Sequence, residues 1–446
     1  MKFPFPLKTP LFLQRHADRI KASPVRLRFA LGSFWSLSGT IIARGFGLIS
    51  SIFVARILGR EGFGELGMIQ STIGTLATFA GFGLGLTAIK YVAEFREKDP
   101  PKAARIIALS SAVSIGTGLF MASLLAVSAD FLAERALSAA HLAGILRVSA
   151  LLLLLGALNG SQTGALSGFE AFRAIAGVNI AAGVFSFPLV VAGAYWKGLE
   201  GVVWGLVGST GINCLLNHFV LRKEAARAGV KLVRKDFLKE WSILHEFSLP
   251  AVLGSVMVGP ANWICNAMLA NQPRGYTEMG IFNAANQWRT AILFLPGVVG
   301  SVVLPILSNL QSPDDRTRYN KILWYNILLA GVVSFGGALI ISLFASLIMK
   351  VYGRGFESGQ PVVIWLCFSS VFSSISAVIG YSIASDGRMW WGMFLNFLWA
   401  LVLVGTAWVF ISKGALGLAL SNFIAYGIHL LTLCFYASYF LIYSKE

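Results

Sequence analysis

The sequence predicts an all-α integral membrane protein with twelve transmembrane helices, arranged as two pseudo-symmetric six-helix lobes. Three observations lead there: the composition, a succession of apolar segments of bilayer length, and short strings that recur half a chain apart. Of 446 residues, 56% are hydrophobic and only 13% charged, with a mean hydropathy of +0.72. So little charge cannot cover the water-exposed surface of a soluble chain this long, which makes it a polytopic membrane protein. The formal net charge of +16 does not point to nucleic acid, because no soluble stretch of domain length exists to present it. Cys214, Cys265, Cys367 and Cys434 fall inside apolar segments with no C-x-x-C pair. They read as small buried hydrophobes, implying neither disulfides nor metal.

Residues 1–29 form a basic tail that lacks an apolar core followed by a small-residue cleavage site, so no signal peptide is expected. Its basic and aromatic mixture suits a segment lying along an anionic inner leaflet. About 20 apolar residues cross about 30 Å of hydrocarbon. On that criterion the first lobe, 30–221, holds spans at 30–55, 64–89, 104–128, 143–166, 172–195 and 201–221. The polar, basic stretch 222–245 is the cytoplasmic linker. The second lobe, 246–446, holds spans at 246–270, 279–309, 322–349, 360–384, 390–412 and 415–442. With the N-terminus in the cytoplasm, 25 of the 36 Lys and Arg fall in inner segments and 8 in outer ones. That bias, and an even span count, place both termini inside.

Two strings repeat between the lobes. G-[FY]-x-E-[LM]-G-[MI] opens span two at Gly62 and span eight at Gly275, an offset of 213. K-G-x-x-G-[VL] precedes span six at Lys197 and span twelve at Lys413, an offset of 216. Both offsets map span n onto span n+6, as a duplicated six-helix bundle requires. Because six is even the repeats run parallel, and a site between them belongs near the midplane.

Ala55-Arg56-Ile57-Leu58-Gly59 followed by Gly62-Phe63-Gly64 resembles the A-R-x-L-G-x-x-x-[FY]-G signature of the polysaccharide-repeat flippases, in the multidrug/oligosaccharidyl-lipid/polysaccharide exporter superfamily. GFGLGLTAIKYVAE at 81–94, LPILSNL at 304–310 and YGRGFESG at 352–359 resemble further pieces of the same pattern. The resemblance runs from about residue 30 to the C-terminus. It implies two lobes enclosing a cavity lined largely by helices one, two, seven and eight, which opens alternately to either side. It also implies a lipid-linked oligosaccharide as substrate, commonly on undecaprenyl diphosphate, and other polysaccharide-assembly membrane proteins as partners. The long proline-containing tail departs from the pattern.

Arg44 is the only interior charge in the first span. An unpaired guanidinium at mid-bilayer costs at least about 2.5 kcal/mol, and either interface is about 15 Å away. The acidic residues fall in tails, loops or span ends, with Glu65, Glu246 and Asp386 the deepest. Backbone carbonyls, cavity water or an incoming anion are therefore the available partners. Arg289 lies about ten residues into span eight, with Asn286 and Thr290 on roughly its face. Guanidinium forks suit phosphate oxygens and amides suit sugar hydroxyls, so Arg44 and Arg289 are the leading candidates to bind a sugar diphosphate. Asn262 and Asn266 in span seven, Gln70 in span two and Arg147 in span four complete the candidate set. Ordinary helix-to-helix hydrogen bonding is the alternative for each amide, and reach to the outer interface is the alternative for Arg147. Pro250, Pro260 and Pro296, with Gly45 and Gly47 beside Arg44, are the candidate hinges.

These features predict alternating-access transport of a polyprenyl-diphosphate-linked oligosaccharide, without a cofactor. A multidrug or cation antiporter of the same superfamily would need buried carboxylates where this interior is basic. A membrane-embedded glycan polymerase or ligase would need catalytic acids or histidines in a substantial outer loop. The longest outer loop, 129–142, is short, and no phosphate-binding Gly-rich motif or metal-spaced cluster occurs.

Overall fold

The structure, a computed structural model, describes residues 24–232, 236–244, 248, 256–308, 310, 315–386 and 388–443. Every regular element among them is helical. The helices of α type are α1 (Pro24–Gly81), α2 (Leu84–Lys98), α3 (Pro100–Phe131), α4 (Ala143–Ser149), α5 (Leu151–Gly168) and α6 (Phe172–Arg227), then α7 (Val258–Ala270), α8 (Gly275–Ser308), α9 (Arg316–Leu343), α10 (Ala345–Tyr352), α11 (Gln360–Ser385), α12 (Met389–Phe410) and α13 (Gly414–Tyr443). Most of the basic tail lies outside the described residues, and α1 begins at Pro24, ahead of the limit drawn at 30.

Seven helical stretches among the described residues are long and apolar enough to cross a membrane. Three of them run to 62, 56 and 49 residues, well beyond the length of one crossing. Each of these is interrupted by glycine in a conformation other residues resist: Gly59 at φ 71°, Gly198 at φ 57° and Gly414 at φ 62°. The difference between seven stretches and twelve expected spans has two sources. Paired spans fuse where no polar loop parts them, and part of the chain, including 249–255 and 311–314, lies outside the described residues. Phe120, Val127, Trp196, Leu343, Trp408 and Phe435 are between 64% and 84% exposed. An apolar exterior of this extent belongs in lipid. The chain is a multi-pass membrane protein.

The two K-G-x-x-G strings adopt matching backbones. Gly198 has φ 57°, ψ −133° and Gly414 has φ 62°, ψ −139°. Three residues on, Gly201 and Gly417 press against the backbone carbonyls of Gly193 and Phe410, where an added Cβ would sit 1.9 and 1.8 Å away. Gly414 also faces the Glu278 carboxylate, which accepts the Ala415 N–H at 2.8 Å and so caps α13. Gly414→Ala is expected to cost about 1–3 kcal/mol, because that backbone region is nearly exclusive to glycine. Thermal unfolding of the detergent-solubilised protein measures it.

α1 packs along α6, and α5 packs on α2, α3 and α6, while α11 packs on α8, α9 and α13. The first half of the chain meets the second chiefly where α1 crosses α8 and α7. At one end of the bundle this seam is dry and tight. Phe63, Tyr352 and Phe356 are each at most 1% exposed and pack against one another in tilted and edge-to-face pairs. Gly64 meets the Tyr276 carbonyl, and Gly280 meets the Arg60 carbonyl, with no room for a side chain at either. Arg56 Nε donates to Val351 O (2.7 Å), Arg60 Nη1 to Gly355 O (3.1 Å) and the Tyr276 hydroxyl to Leu137 O (2.7 Å). Two of the strings that carry the family resemblance, 55–64 and 352–359, thus meet at this seam, together with the repeat string that begins at Gly275. The linker begins as the last turns of α6, which runs on to Arg227, and its stretch 236–244 is tied to α3 by the Arg105–Glu240 ion pair at 2.8 Å.

Candidate substrate cavity

Beneath the seam lies a cavity of about 690 Å³. One stripe of α1 supplies its first wall: Thr40, Arg44, Gly47, Ser51 and Val54, spaced three or four apart as one helical face demands, with Ala43 beside them. After the Gly59 break, Phe63, Leu66 and Gln70 of the same helix close its roof. α6 adds Asn179 and Ser186, and α8 adds Asn283, Asn286, Gln287 and Thr290.

Arg44 is exposed into this space, about 22 Å along α1 from the Gly59 break. Among the described residues no carboxylate lies within ion-pair distance of it. Its guanidinium stacks over the Phe294 ring of α8, 4.5 Å from the centroid. A cation over an aromatic face is electrostatically favoured. Gln70 and Asn286 share the cavity with Arg44. Asn179, Asn283 and Gln287 do so too, and were not singled out from sequence. For α8 a signal was present: Asn283, Asn286, Gln287 and Thr290 recur at helical spacing.

The other candidate residues are placed elsewhere. Arg289 is not on the cavity wall; its Nε donates to Ser369 Oγ (3.2 Å), its Nη1 to Asn286 Oδ1 (3.4 Å), and it lies 4.9 Å from the Tyr426 ring centroid. At about 100° per residue, position 289 falls about 60° from the direction of 286, enough to turn the guanidinium toward α11 and α13. It supports Asn286 from behind. Arg147 on α4 forms an exposed ion pair with Asp130 and is not among the residues that line the cavity.

Asn266 donates to Ser71 Oγ (2.9 Å) and Trp263 to Thr72 Oγ1 (2.9 Å), so this face of α7 is stitched to α1. Asn262 donates to the Val258 carbonyl of its own helix. Among the described residues α7 contributes nothing to the cavity, whereas α6 does, a departure from the set of helices one, two, seven and eight.

Of the candidate hinges, Pro250 lies outside the described residues. Pro260 is in the first turn of α7, where its missing N–H has no helical partner to lose. Pro296 is buried inside α8. α1 passes unbroken through Gly45 and Gly47, and its one non-helical residue is Gly59.

A family described as polysaccharide biosynthesis protein matches residues 29–311. The chain belongs to that family. Its relatives include the EPS I polysaccharide export inner membrane protein EpsE of Ralstonia nicotianae, 24% identical over 92% of this chain and 93% of that protein. The lipid III flippase of Escherichia coli K12 is likewise 24% identical, over 92% of this chain and 98% of that one. Among solved structures, an inward-facing multidrug resistance transporter of the MOP superfamily superposes with a TM-score of 0.71 at 14% identity, covering 92% of this chain and all of that one. The fold of the chain is therefore that of the MOP superfamily.

Proposed function

We propose that this family member is a flippase. It moves a lipid-linked oligosaccharide, on a polyprenyl diphosphate of the undecaprenyl type, from the inner to the outer leaflet of a bacterial cytoplasmic membrane. The observation that carries this reading is Arg44: a cation at mid-helix in a cavity walled by amides and hydroxyls, with no carboxylate beside it among the described residues. Such a site suits an anionic, hydroxyl-rich cargo. The names of the relatives support the same cargo class. A multidrug antiporter carrying cations is disfavoured by that lining.

In this reading α1 and α6 supply two crossings each, α3 and the α4–α5 stretch one each, and α7, α8, α9, α11, α12 and α13 one each. That makes two six-helix lobes, 30–221 and 246–446, joined by the linker 222–245. The closed seam is the outer side and both termini are cytoplasmic, as the distribution of basic residues favours. The diphosphate meets Arg44 at mid-depth, the sugars contact the amide wall of α8 and α6, and the isoprenoid tail stays in lipid. The lobes then rock, so that the cavity opens to the other side. The inside-negative potential assists outward movement of an anion by about 2.3 kcal/mol per charge per 100 mV.

The test is complementation of a deletion strain, following lipid-linked glycan on each side of the membrane. Loss of the chain causes the unaltered glycan to accumulate on the cytoplasmic face; a change in which glycan is made would sink the flippase reading. In the same assay Arg289→Ala is expected to slow transport only about fivefold, the worth of one hydrogen bond near 1 kcal/mol, because Arg289 acts through Asn286.

A further inference from the structure

A second cavity, of about 510 Å³, lies at the outer edge of the seam. Both halves of the chain build it: Arg56 and Gly59 come from the break in α1, while Lys350, Arg354 and Glu357 come from α10 and the turn after it. That turn runs through Gly353 at φ 119° and Gly355 at φ 88°, and Gly353 lines the cavity without adding a side chain to it. Basic residues are scarce at this end of the molecule, with eight in all the outer segments. Three of them line this one cavity, and a fourth, Arg60, joins the same turn by donating to Gly355 O.

Arg56 is held in place by its Nε bond to Val351 O, which leaves its two terminal amino groups. Lys350 and Arg354 are exposed, and among the described residues neither is in an ion pair, not even with Glu357 on the same wall. Three cations around one carboxylate repel one another unless an anion joins them.

We propose that this seam cavity is a second anion site, one that takes a phosphate ester or diphosphate group. Arg56 lies twelve residues beyond Arg44 on α1, about 18 Å away, so the two sites are separate. The cavity accommodates a headgroup and leaves a glycan outside. Its walls belong to both halves, so the site is complete only while the seam is shut, and an anion bound there favours the shut state. That consequence for transport rests on the flippase reading, in which the seam faces outward and the phosphate arrives on an exported lipid or on a neighbouring anionic phospholipid. Binding itself does not depend on that reading.

The experiment follows thermal unfolding of the purified full chain in neutral detergent as inorganic pyrophosphate is added, with chloride at matched ionic strength as control. It uses an Arg44→Gln background to silence the central cavity. A saturable rise in Tm is expected. Adding Lys350→Gln and Arg354→Gln weakens the apparent affinity at least tenfold, and the swap Lys350→Arg with Arg354→Lys restores it. Equal affinity with and without the two seam cations, or an equal shift from chloride, overturns the proposal. Lipid nanodiscs assign the source. A pyrophosphate effect present in phosphatidylcholine and lost in phosphatidylglycerol supports occupancy by phospholipid headgroups, and an effect kept in both supports a site for diphosphate. Should Arg44→Gln transport normally in cells, the Arg44 role fails while this binding result stands unchanged.

Discussion

Arg44→Gln is expected to lower transport of the lipid-linked glycan by between about tenfold and a hundredfold, since hydrogen bonds to a charged group are worth about 1.5–3 kcal/mol. The glutamine keeps length and polarity but removes the charge. Arg44→Lys keeps the charge and removes the planar fork, so an intermediate loss is expected. The ordering Arg, Lys, Gln tests for charge, and Phe294→Leu, which removes the ring beneath Arg44 but leaves the guanidinium, separates a phosphate-binding role from a packing role. Abundance of each variant in the membrane must match the wild type, and the readout is the inner-to-outer ratio of lipid-linked glycan. A Gln variant that transports at the wild-type rate contradicts the assignment.

Gly64→Ala and Gly280→Ala should have the second large effect, by forcing the seam. A Cβ on Gly64 would stand 1.9 Å from the Tyr276 carbonyl, and one on Gly280 would stand 2.0 Å from the Arg60 carbonyl. Ordinary contact begins at 3.4 Å, so the two helices must part by about 1.5 Å at Gly64. The obstacle is backbone, which cannot swing aside as a side chain does. Overpacking of this kind costs about 1–3 kcal/mol, and applied to the shut state alone it shifts the open-to-shut ratio by about 5- to 150-fold. The expected sign is toward an open seam. Labelling of a cysteine introduced at Gln70, just below Phe63, by a membrane-impermeant thiol reagent added outside reports it. Unchanged labelling in both variants would mean that the seam is not the gate.

Arg44 was legible in the sequence because a lone charge within an apolar span has few explanations, and no carboxylate stands at a matching depth. The repeat strings were legible for a related reason: Gly198 and Gly414 carry backbone conformations that only glycine adopts readily, so the strings persist wherever the geometry does. The direction of Arg289 was not legible. Its partners Ser369 and Tyr426 lie 80 and 137 residues away, and a 60° turn on one helix separates the cavity wall from its back. The contribution of Asn179 and Ser186 was hidden too, since isolated polar residues in a span read equally well as contacts between helices. Asn266 and Trp263 turned out to be such contacts. The outer clasp made by Arg56 and Arg60 joins residues 295 positions apart, and no local pattern announces a bond to a backbone carbonyl at that distance.

The most direct measurement is the affinity of the purified protein for a short-chain polyprenyl diphosphate, in a Lys350→Gln/Arg354→Gln background that removes the seam cations. With Arg44 present, saturable binding is expected; with Gln at that position, affinity should fall at least about tenfold. Equal affinity for both proteins would mean that the mid-membrane cation does not receive the phosphate, and the account of the cavity would be wrong.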